Sequence, residues 1–325
     1  MLHGQKPSNL GHQYDIFREI HLIAVLGLLV VSQLNDDLSN TERKELIILK
    51  TKKVPLFDEQ VIRQFGSRSA TLFAILSAVL IFVDIPVNLR LIAGGVVLLV
   101  LVAIYFFTWH RANTLNDISI SIGATTVQIK SGDLFKQDGL KAIAFNEYFD
   151  TQVDDVIIAK RSLNGQVIEK YFPDIQGLDK QIESDKSLEK GLIEEMNREV
   201  GKKKRYKLGS SVLIDDEFIL TAFSRFDDDN KAELTMQEYI NFLLAFWNEI
   251  NRLYAQRTVS VPVFGAGITR FRNGFEDIDI NELLQIMVWT FKVSKIKFTY
   301  PAKLQIIIHE DLLKKVNLYE LKENE

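Results

Sequence analysis

The chain has 325 residues, 47 % apolar and 25 % charged, with a formal net charge of −4 and no cysteine. This composition excludes a disordered or collagen-like chain, and the missing thiols exclude thiol catalysis, Cys-ligated zinc and a disulfide scaffold. Residues 1–111 carry 11 Lys and Arg against 9 Asp and Glu, and residues 112–325 carry 28 against 34; so acidic a region argues against coating nucleic acid.

In chain order, residues 22–34 form an apolar stretch too short to span a bilayer. It follows Arg18, Glu19 and His21 and has neither the basic flank nor the A-x-A site of a signal peptide. It reads as a helix on the membrane surface or on another subunit. Ser39-Asn-Thr-Glu42 is a capping box ahead of Pro55. Two apolar runs follow, Ser69–Val83 and Leu91–Trp109, separated by Asp84-Ile-Pro-Val-Asn88. At 1.5 Å per residue the second run rises about 28 Å, against a hydrocarbon core of roughly 30 Å. Together they predict a transmembrane helical hairpin over 67–111, after an N-terminal helical region at 1–66. Tyr105, Phe106, Phe107 and Trp109 crowd one end as interfacial aromatics do. Arg63 and Arg68 before the hairpin and His110 and Arg111 after it outweigh Arg90 at the turn, which Asp84 offsets. The positive-inside bias then places both termini in the cytoplasm, with the hairpin in the plasma membrane. Asp84 and Arg90 either line a pore or mark the far interface, and Gly94 with Gly95 would let two helices approach closely.

From residue 112 the periodicity becomes that of a soluble domain running to 325. Ile118, Ile120 and Ile122 alternate with polar residues and, with Val127 and Ile129, predict a strand pair. Val156–Ile158 reads as a short buried strand. Leu188, Leu192, Ile193, Met196 and Val200 fall at helical spacing before Gly201. Val212–Ile214 and Phe218–Phe223 flank an Asp215-Asp216 hairpin turn. Thr235-Met-Gln-Glu238 and Asp279-Ile-Asn-Glu282 are capping boxes, each ahead of an amphipathic helix. Val259–Phe264 and Leu304–Ile308 are strands. Strands alternating with helices predict an α/β domain whose mixed or parallel sheet is covered on both faces.

Ligands of such sheets bind beyond the carboxyl ends of the strands, and three loops have that placement. The first is Lys130-Ser-Gly132-Asp133-Leu134-Phe135, where Gly132 permits a tight turn and Asp133 would accept hydrogen bonds from an adenine or ribose. The second is Asn146-Glu-Tyr-Phe-Asp150-Thr151, followed by Ser162-Leu-Asn-Gly165. The third is Val263-Phe-Gly265-Ala-Gly267-Ile-Thr269-Arg270, whose two glycines let backbone N–H groups approach a diphosphate, although the third glycine of a dinucleotide fingerprint is missing.

This order of loops resembles a macro domain, the three-layer α/β/α module that binds ADP-ribose. NEYFDT at 146–151, GAGITR at 265–270 and ELLQIMVWTFKVSKIKF at 282–298 are similar to the divergent macro-like domains carried on a two-helix anchor by the membrane-macro effectors of Thoeris antiphage systems. The resemblance covers the hairpin and most of 112–325. It implies an effector that senses an ADP-ribose-derived signal, histidine-ADP-ribose in particular, made by a partner TIR-domain enzyme. It further implies a homo-oligomer that disrupts the bilayer in abortive infection. By the same resemblance Asp133 and Leu134 would contact adenosine. Asn146, Asp150, Thr151, Ser162, Leu163 and Gly165 would surround the distal part of the ligand. Gly265, Ala266, Gly267, Ile268 and Thr269 would cradle the diphosphate with Arg270 adding charge, and Phe223 would stack on a ring. The Asn-Ala-Ala-Asn run and the GGG-bearing loop usual in macro domains are absent, which points away from de-ADP-ribosylation.

An enzyme needs a nucleophile or an acid–base pair, and the histidines are few: His3, His12, His21, His110 and His309, none of them beside the candidate loops, although His309 ends a strand. Asp227-Asp-Asp-Asn230 lacks the Gly and the fifth-position ligand of a calcium loop and reads as a solvated acidic loop. Lys202–Arg205 reads as a solvated charge run after a helix, with contact to anionic lipid or phosphate as the alternative. The sequence therefore predicts a sensor with no catalytic residues, cofactor or metal, and an anchored macro-type hydrolase is the competing expectation.

Overall fold

The computed structural model describes residues 53–227, 229–298 and 301–323. The chain divides into two compact units, Met1–Pro55 and Leu56–Glu325, and the second holds every element named below. The apolar stretch at 22–34 and the capping box at 39–42 lie outside the described residues.

Asp58 opens α1 (Glu59–Leu80), its Oδ1 accepting from the N–H groups of Gln60 at 2.9 Å and Val61 at 3.3 Å. This satisfies two donors that the first helical turn leaves unpaired. A 3₁₀ turn at Val87–Leu89 leads into α2 (Arg90–Thr114), and Arg90 Nε donates to the Ile85 carbonyl at 3.3 Å to close the tip. The helices return on each other through an edge-to-face Phe65–Tyr105 pair at 5.3 Å and through Arg68 Nη1 donating to Thr108 Oγ1 at 2.6 Å. The two helices therefore pack as an antiparallel pair.

Its two arms are unequal. Val87–Thr114 is the one stretch among the described residues long and apolar enough to cross a membrane. The first arm carries Glu59, Arg63 and Arg68 in its first half, and its apolar remainder, Ser69–Leu80, rises only about 18 Å. Gly94 and Gly95 do not bring the arms together, since a Cβ on either meets nothing within 4 Å. At the base Val61, Thr108, Trp109 and Ala112 are buried, so Trp109 is a packing residue, whereas Leu91, Ile92, Leu99 and Phe107 are exposed.

The sheet begins with the antiparallel pair β1 (Asp117–Ile122) and β2 (Thr125–Ser131), then β3 (Leu140–Asn146). Three helices follow: α3 (Leu163–Tyr171), α4 (Ile175–Ser184) and the single turn α5 (Lys186–Glu189). A separate two-stranded ribbon pairs β4 (Leu192–Glu195) with β5 (Lys204–Tyr206). β6 (Ser211–Ile214) and β7 (Phe218–Phe226) form the expected hairpin, with Asp215 and Asp216 both at positive φ as the turn demands. Next come β8 (Ala232–Thr235), α6 (Met236–Leu253), β9 (Val259–Pro262), β10 (Arg270–Arg272), α7 (Ile280–Ser294), β11 (Leu304–Ile308), α8 (Glu310–Leu313) and α9 (Leu318–Glu323). Both capping boxes, at Thr235 and Asp279, are formed.

The strand order is β1-β2-β11-β9-β3-β7-β8-β10, with β6 also on β7; β2, β11, β9, β3 and β7 run parallel. Alternate side chains of the strands enter two cores. Ile219, Phe223 and Leu304 join Phe242 of α6 and Leu284 of α7 on one face. Leu220, Phe145 and Ile307 join Val167, Leu178 and Leu188 of α3–α5 on the other. The expected three-layer α/β/α arrangement with a mixed sheet follows from this alternation.

Two sequence expectations are overturned. Val156–Ile158 is not a strand: Asp154 Oδ1 accepts from Val156 N at 2.9 Å and Ile157 N at 2.8 Å, and Asp155 sits at φ 63°, so side-chain turns replace extended pairing. Only Leu188 and Glu189 of the expected 188–200 helix are helical. The chain leaves α5 at Gly191, and 192–195 pair with 204–206, so that Leu192, Ile193 and Val200 are exposed instead of forming an inward stripe.

Candidate functional site

The carboxyl ends of β2, β11, β9, β3 and β7 meet in a cleft of about 940 Å³. From the β2 end to the β7 end are four strand spacings, or about 19 Å. Asp133 stands at the β2 end, its Oδ1 accepting from Phe135 N at 2.9 Å, with buried Leu134 behind it. Phe135 lies 5.5 Å from the Tyr171 ring, and the Lys170 ammonium covers both rings, at 5.7 and 5.2 Å. His309, directly after β11, and Asp311 also line this cleft, so one histidine does face the candidate loops. His309 Nδ1 accepts from Asp311 N at 3.4 Å.

The middle of the cleft presents backbone donors. Ser162 is the N-cap of α3, its Oγ accepting from Gly165 N at 3.2 Å, so the first turn of α3 at Ser162, Leu163 and Asn164 opens on the cleft. Facing it is the loop Val263–Thr269 after β9. Gly265 takes φ 87°, and a Cβ there would come within 2.8 Å of the Phe271 ring. Gly267 lines the cleft too, but a Cβ there meets nothing within 4 Å and its φ is not positive. The charged side chains nearly balance, Arg161 and Lys170 against Asp133, Glu169 and Asp311, so an anion here depends on helix-end and loop N–H groups.

At the far end Asn146 is buried and committed. Its Nδ2 donates to Asp150 Oδ2 at 3.1 Å, and its Oδ1 accepts from Tyr148 N at 3.0 Å and Asp150 N at 3.3 Å. Phe149 is held at φ 52° inside the core, a conformation a bulky residue adopts only under constraint. Asp150 is buried, accepting from Lys202 N at 2.6 Å and from Arg198 Nη1 at 3.0 Å. Burial, then the neighbouring Glu147 carboxylate, raises the Tyr148 phenol above its ordinary pKa. Hydrogen bonding to Glu147 likewise raises that of the Arg205 guanidinium.

The fifteen residues singled out in the sequence thus separate. Asp133, Leu134, Asn146, Ser162, Leu163, Phe223, Gly265, Ala266, Gly267, Ile268 and Thr269 line the one cleft. Asp150 and Thr151 line a neighbouring cavity of about 710 Å³, where Thr151 Oγ1 donates to Asp179 Oδ1 at 2.8 Å. Gly165 is a packing residue, since a Cβ would stand 2.4 Å from the Ala159 carbonyl oxygen. Arg270 is exposed on β10 and does not line the cleft. Phe223 is wedged among Phe242 and Phe264, at 4.8 and 5.4 Å, and offers the cleft little more than an edge. Sequence reasoning placed Phe135 and Phe264 in the candidate loops without giving either a role, and it missed Ser224 and Phe226, which follow the Phe218–Phe223 strand it recognised; proximity to a strand's carboxyl end was the available signal.

The charge run at 202–205 is partly structural: Lys202 Nζ pairs with Asp179 at 2.5 Å, and Arg205 pairs with Glu147 at 2.8 Å and Glu194 at 3.0 Å. Among the described residues no group of three or more His, Asp or Glu gathers as a metal site.

The profile of the family "Thoeris protein ThsA, Macro domain" matches residues 127–309. The Thoeris protein ThsA of Bacillus amyloliquefaciens (strain Y2) is 45 % identical over an alignment of 251 residues that covers 75 % of this chain and 82 % of the relative. Among solved structures, a mutant Oceanobacillus iheyensis macrodomain is similar at a TM-score of 0.43 and 11 % identity, covering 65 % of this chain and 97 % of its own. A macrodomain of the same organism with ADP gives 0.41 and 10 %, covering 64 % and 95 %.

Proposed function

The chain belongs to the Thoeris ThsA family and carries its macro domain, and from that premise we propose that it is an antiphage effector that senses an ADP-ribose-derived signal and attacks the membrane. The observation that carries this reading is the convergence of the α3 N-terminus and the Gly265–Thr269 loop on one cleft with Asp133 at its end. A diphosphate fits between the two sets of N–H groups, with the adenosine toward Asp133 and Phe135 and the distal group toward Asn146 and Phe226. Histidine-ADP-ribose from a partner TIR enzyme is the proposed signal, as the family resemblance implies.

Binding without turnover is supported by the state of Asn146. Both ends of its amide already serve the 146–150 turn, so it holds the cleft wall and is not free to orient a water. No cofactor is assigned. We place α2 across the plasma membrane with both termini cytoplasmic, α1 alongside it, and several copies assembled, because one hairpin cannot enclose a pore.

The signal must favour the assembled state to drive this change. A route exists from cleft to hairpin. His309, Asp311 and Leu312 line the cleft. Further along the same segment, Asn317 Nδ2 donates to Asp58 Oδ2, the cap of α1, at 3.2 Å.

Calorimetric titration tests the reading. The full chain in detergent is the proper sample, because the hairpin base is buried and truncation at 112 would strip it. Histidine-ADP-ribose, ADP-ribose and NAD are titrated, with chromatography of the ligand afterwards. Selective binding of one derivative recovered intact is expected; a consumed ligand makes the protein a hydrolase, and no binding removes the sensor.

A further inference from the structure

Arg198 lies in the loop that joins β4 to β5, outside the cleft, yet it joins two of the cleft's walls. Its Nη1 donates to Asp150 Oδ2 at 3.0 Å and to the Lys202 carbonyl at 2.7 Å, while its Nη2 donates to Asn230 Oδ1 at 2.8 Å. Its guanidinium stacks 3.8 Å from the centre of the Tyr148 ring. The side chain is only 12 % exposed and Asp150 is 1 % exposed, so this is a desolvated, multiply bonded pair in which a planar fork uses both edges.

The two walls are the loops that follow β3 and β7. Asp150 belongs to the turn in which it binds Asn146, a cleft residue. Asn230 belongs to the loop between Phe226 and Ala232, both of which line the cleft. Apart from Arg198, that loop is tied to itself, with Asp227 Oδ1 accepting from Asp229 N and Lys231 N and Lys231 pairing with Asp229, and at its base to β10, where Arg272 pairs with Asp227 at 3.6 Å. Gly201 makes the clamp possible. It takes φ 84°, and a Cβ there would stand 2.7 Å from Asp150 Oδ1, so only glycine lets Lys202 N reach the carboxylate.

We propose that Arg198 is a positioning residue for the ligand: it locks the β3 and β7 loops into one rigid wall at the end of the cleft remote from Asp133. This rests on the functional reading above and deepens it, because it assigns selectivity for the part of the ligand beyond the diphosphate to a residue that never touches it. The adenosine contacts lie at the other end and the diphosphate contacts in the middle of the cleft, and both are independent of the clamp.

The test compares wild type, Arg198→Lys and Arg198→Met as full chains in detergent. Hydrogen exchange is read over 227–232, and affinities for ADP-ribose and ADP are read as a ratio. Lysine keeps a charge beside Asp150 but offers a point donor in place of the fork. Arg198→Lys is therefore expected to keep the wild-type melting temperature while exchange at 227–232 accelerates. Its ADP-ribose affinity falls about tenfold, the equivalent of one lost charge-assisted hydrogen bond, with ADP unchanged. Arg198→Met shows the same selective loss at a lower melting temperature. Unchanged exchange in both variants overturns the clamp whatever the ligands do, and equal losses for ADP and ADP-ribose reduce Arg198 to a structural residue. If wild type binds neither nucleotide, the functional reading itself fails and takes the selectivity claim with it.

Discussion

Two glycines in one loop separate folding from binding. Gly265→Ala forces a Cβ into φ 87° and to within 2.8 Å of the Phe271 ring, which packs on Tyr239 at 5.3 Å in the core. The left-handed backbone costs a residue with a Cβ about 1–2 kcal/mol, and overpacking adds about 1–3 kcal/mol. A destabilisation of about 2–5 kcal/mol is expected, a fall in melting temperature on the order of 10 °C. Gly267→Val meets open space on the cleft wall, so its stability should stay within about 0.5 kcal/mol of wild type. Yet its side chain occupies the place given to the diphosphate, and affinity should fall at least about tenfold. Thermal melts by circular dichroism and ligand calorimetry on both variants decide. A stable Gly267→Val chain that binds as wild type refutes the assignment of this loop to the diphosphate. A Gly265→Ala chain that melts as wild type refutes the steric reasoning behind it.

Asn146→Ala leaves the N–H groups of Tyr148 and Asp150 without their acceptor; a loss of about 1–3 kcal/mol is expected in denaturant titration, together with weaker ligand binding. Asp58→Ala removes both the α1 cap and the partner of Asn317. It should cost about 0.5–2 kcal/mol and lower membrane activity while calorimetric affinity at the cleft is unchanged. Leu99→Arg places a charge on the exposed face of α2, at about 2.5–3.5 kcal/mol near a bilayer centre; the chain should leave the membrane fraction on flotation. The Ile157 backbone N–H, aided by that of Val156, holds the Asp154 carboxyl below its usual pKa. Its stabilising effect is therefore present above the unfolded value near about 3.9 and is lost as the pH falls through the lower folded one. Proteolysis of the 153–158 loop should rise over that acid range and lose its pH dependence in Asp154→Asn.

The parts of the fold legible in the sequence are those set by local chemistry. Period-2 alternation marked β1 and β2, two capping boxes marked α6 and α7, and the apolar run Leu304–Ile308 gave β11. The β4–β5 ribbon was not legible, because Leu188–Val200 carries a helical spacing that long-range ties to Glu147 and Asp150 override. Val156–Ile158 looked like a strand because the Asp154 and Asp155 side chains that bend it leave no mark on apolar pattern. At the site, glycines and strand ends located the cleft. Which way Asp150, Gly165 and Arg270 face depends on tertiary packing, and a fixed sequence spacing does not encode that.

The most direct test of the central claim is dye release from vesicles of inner-membrane lipids reconstituted with the full chain, before and after histidine-ADP-ribose is added. The account predicts tight vesicles without the ligand and rapid release with it, abolished by Gly267→Val. Release that ignores the ligand, or intact vesicles around a chain shown to have bound it, would contradict a ligand-gated membrane effector.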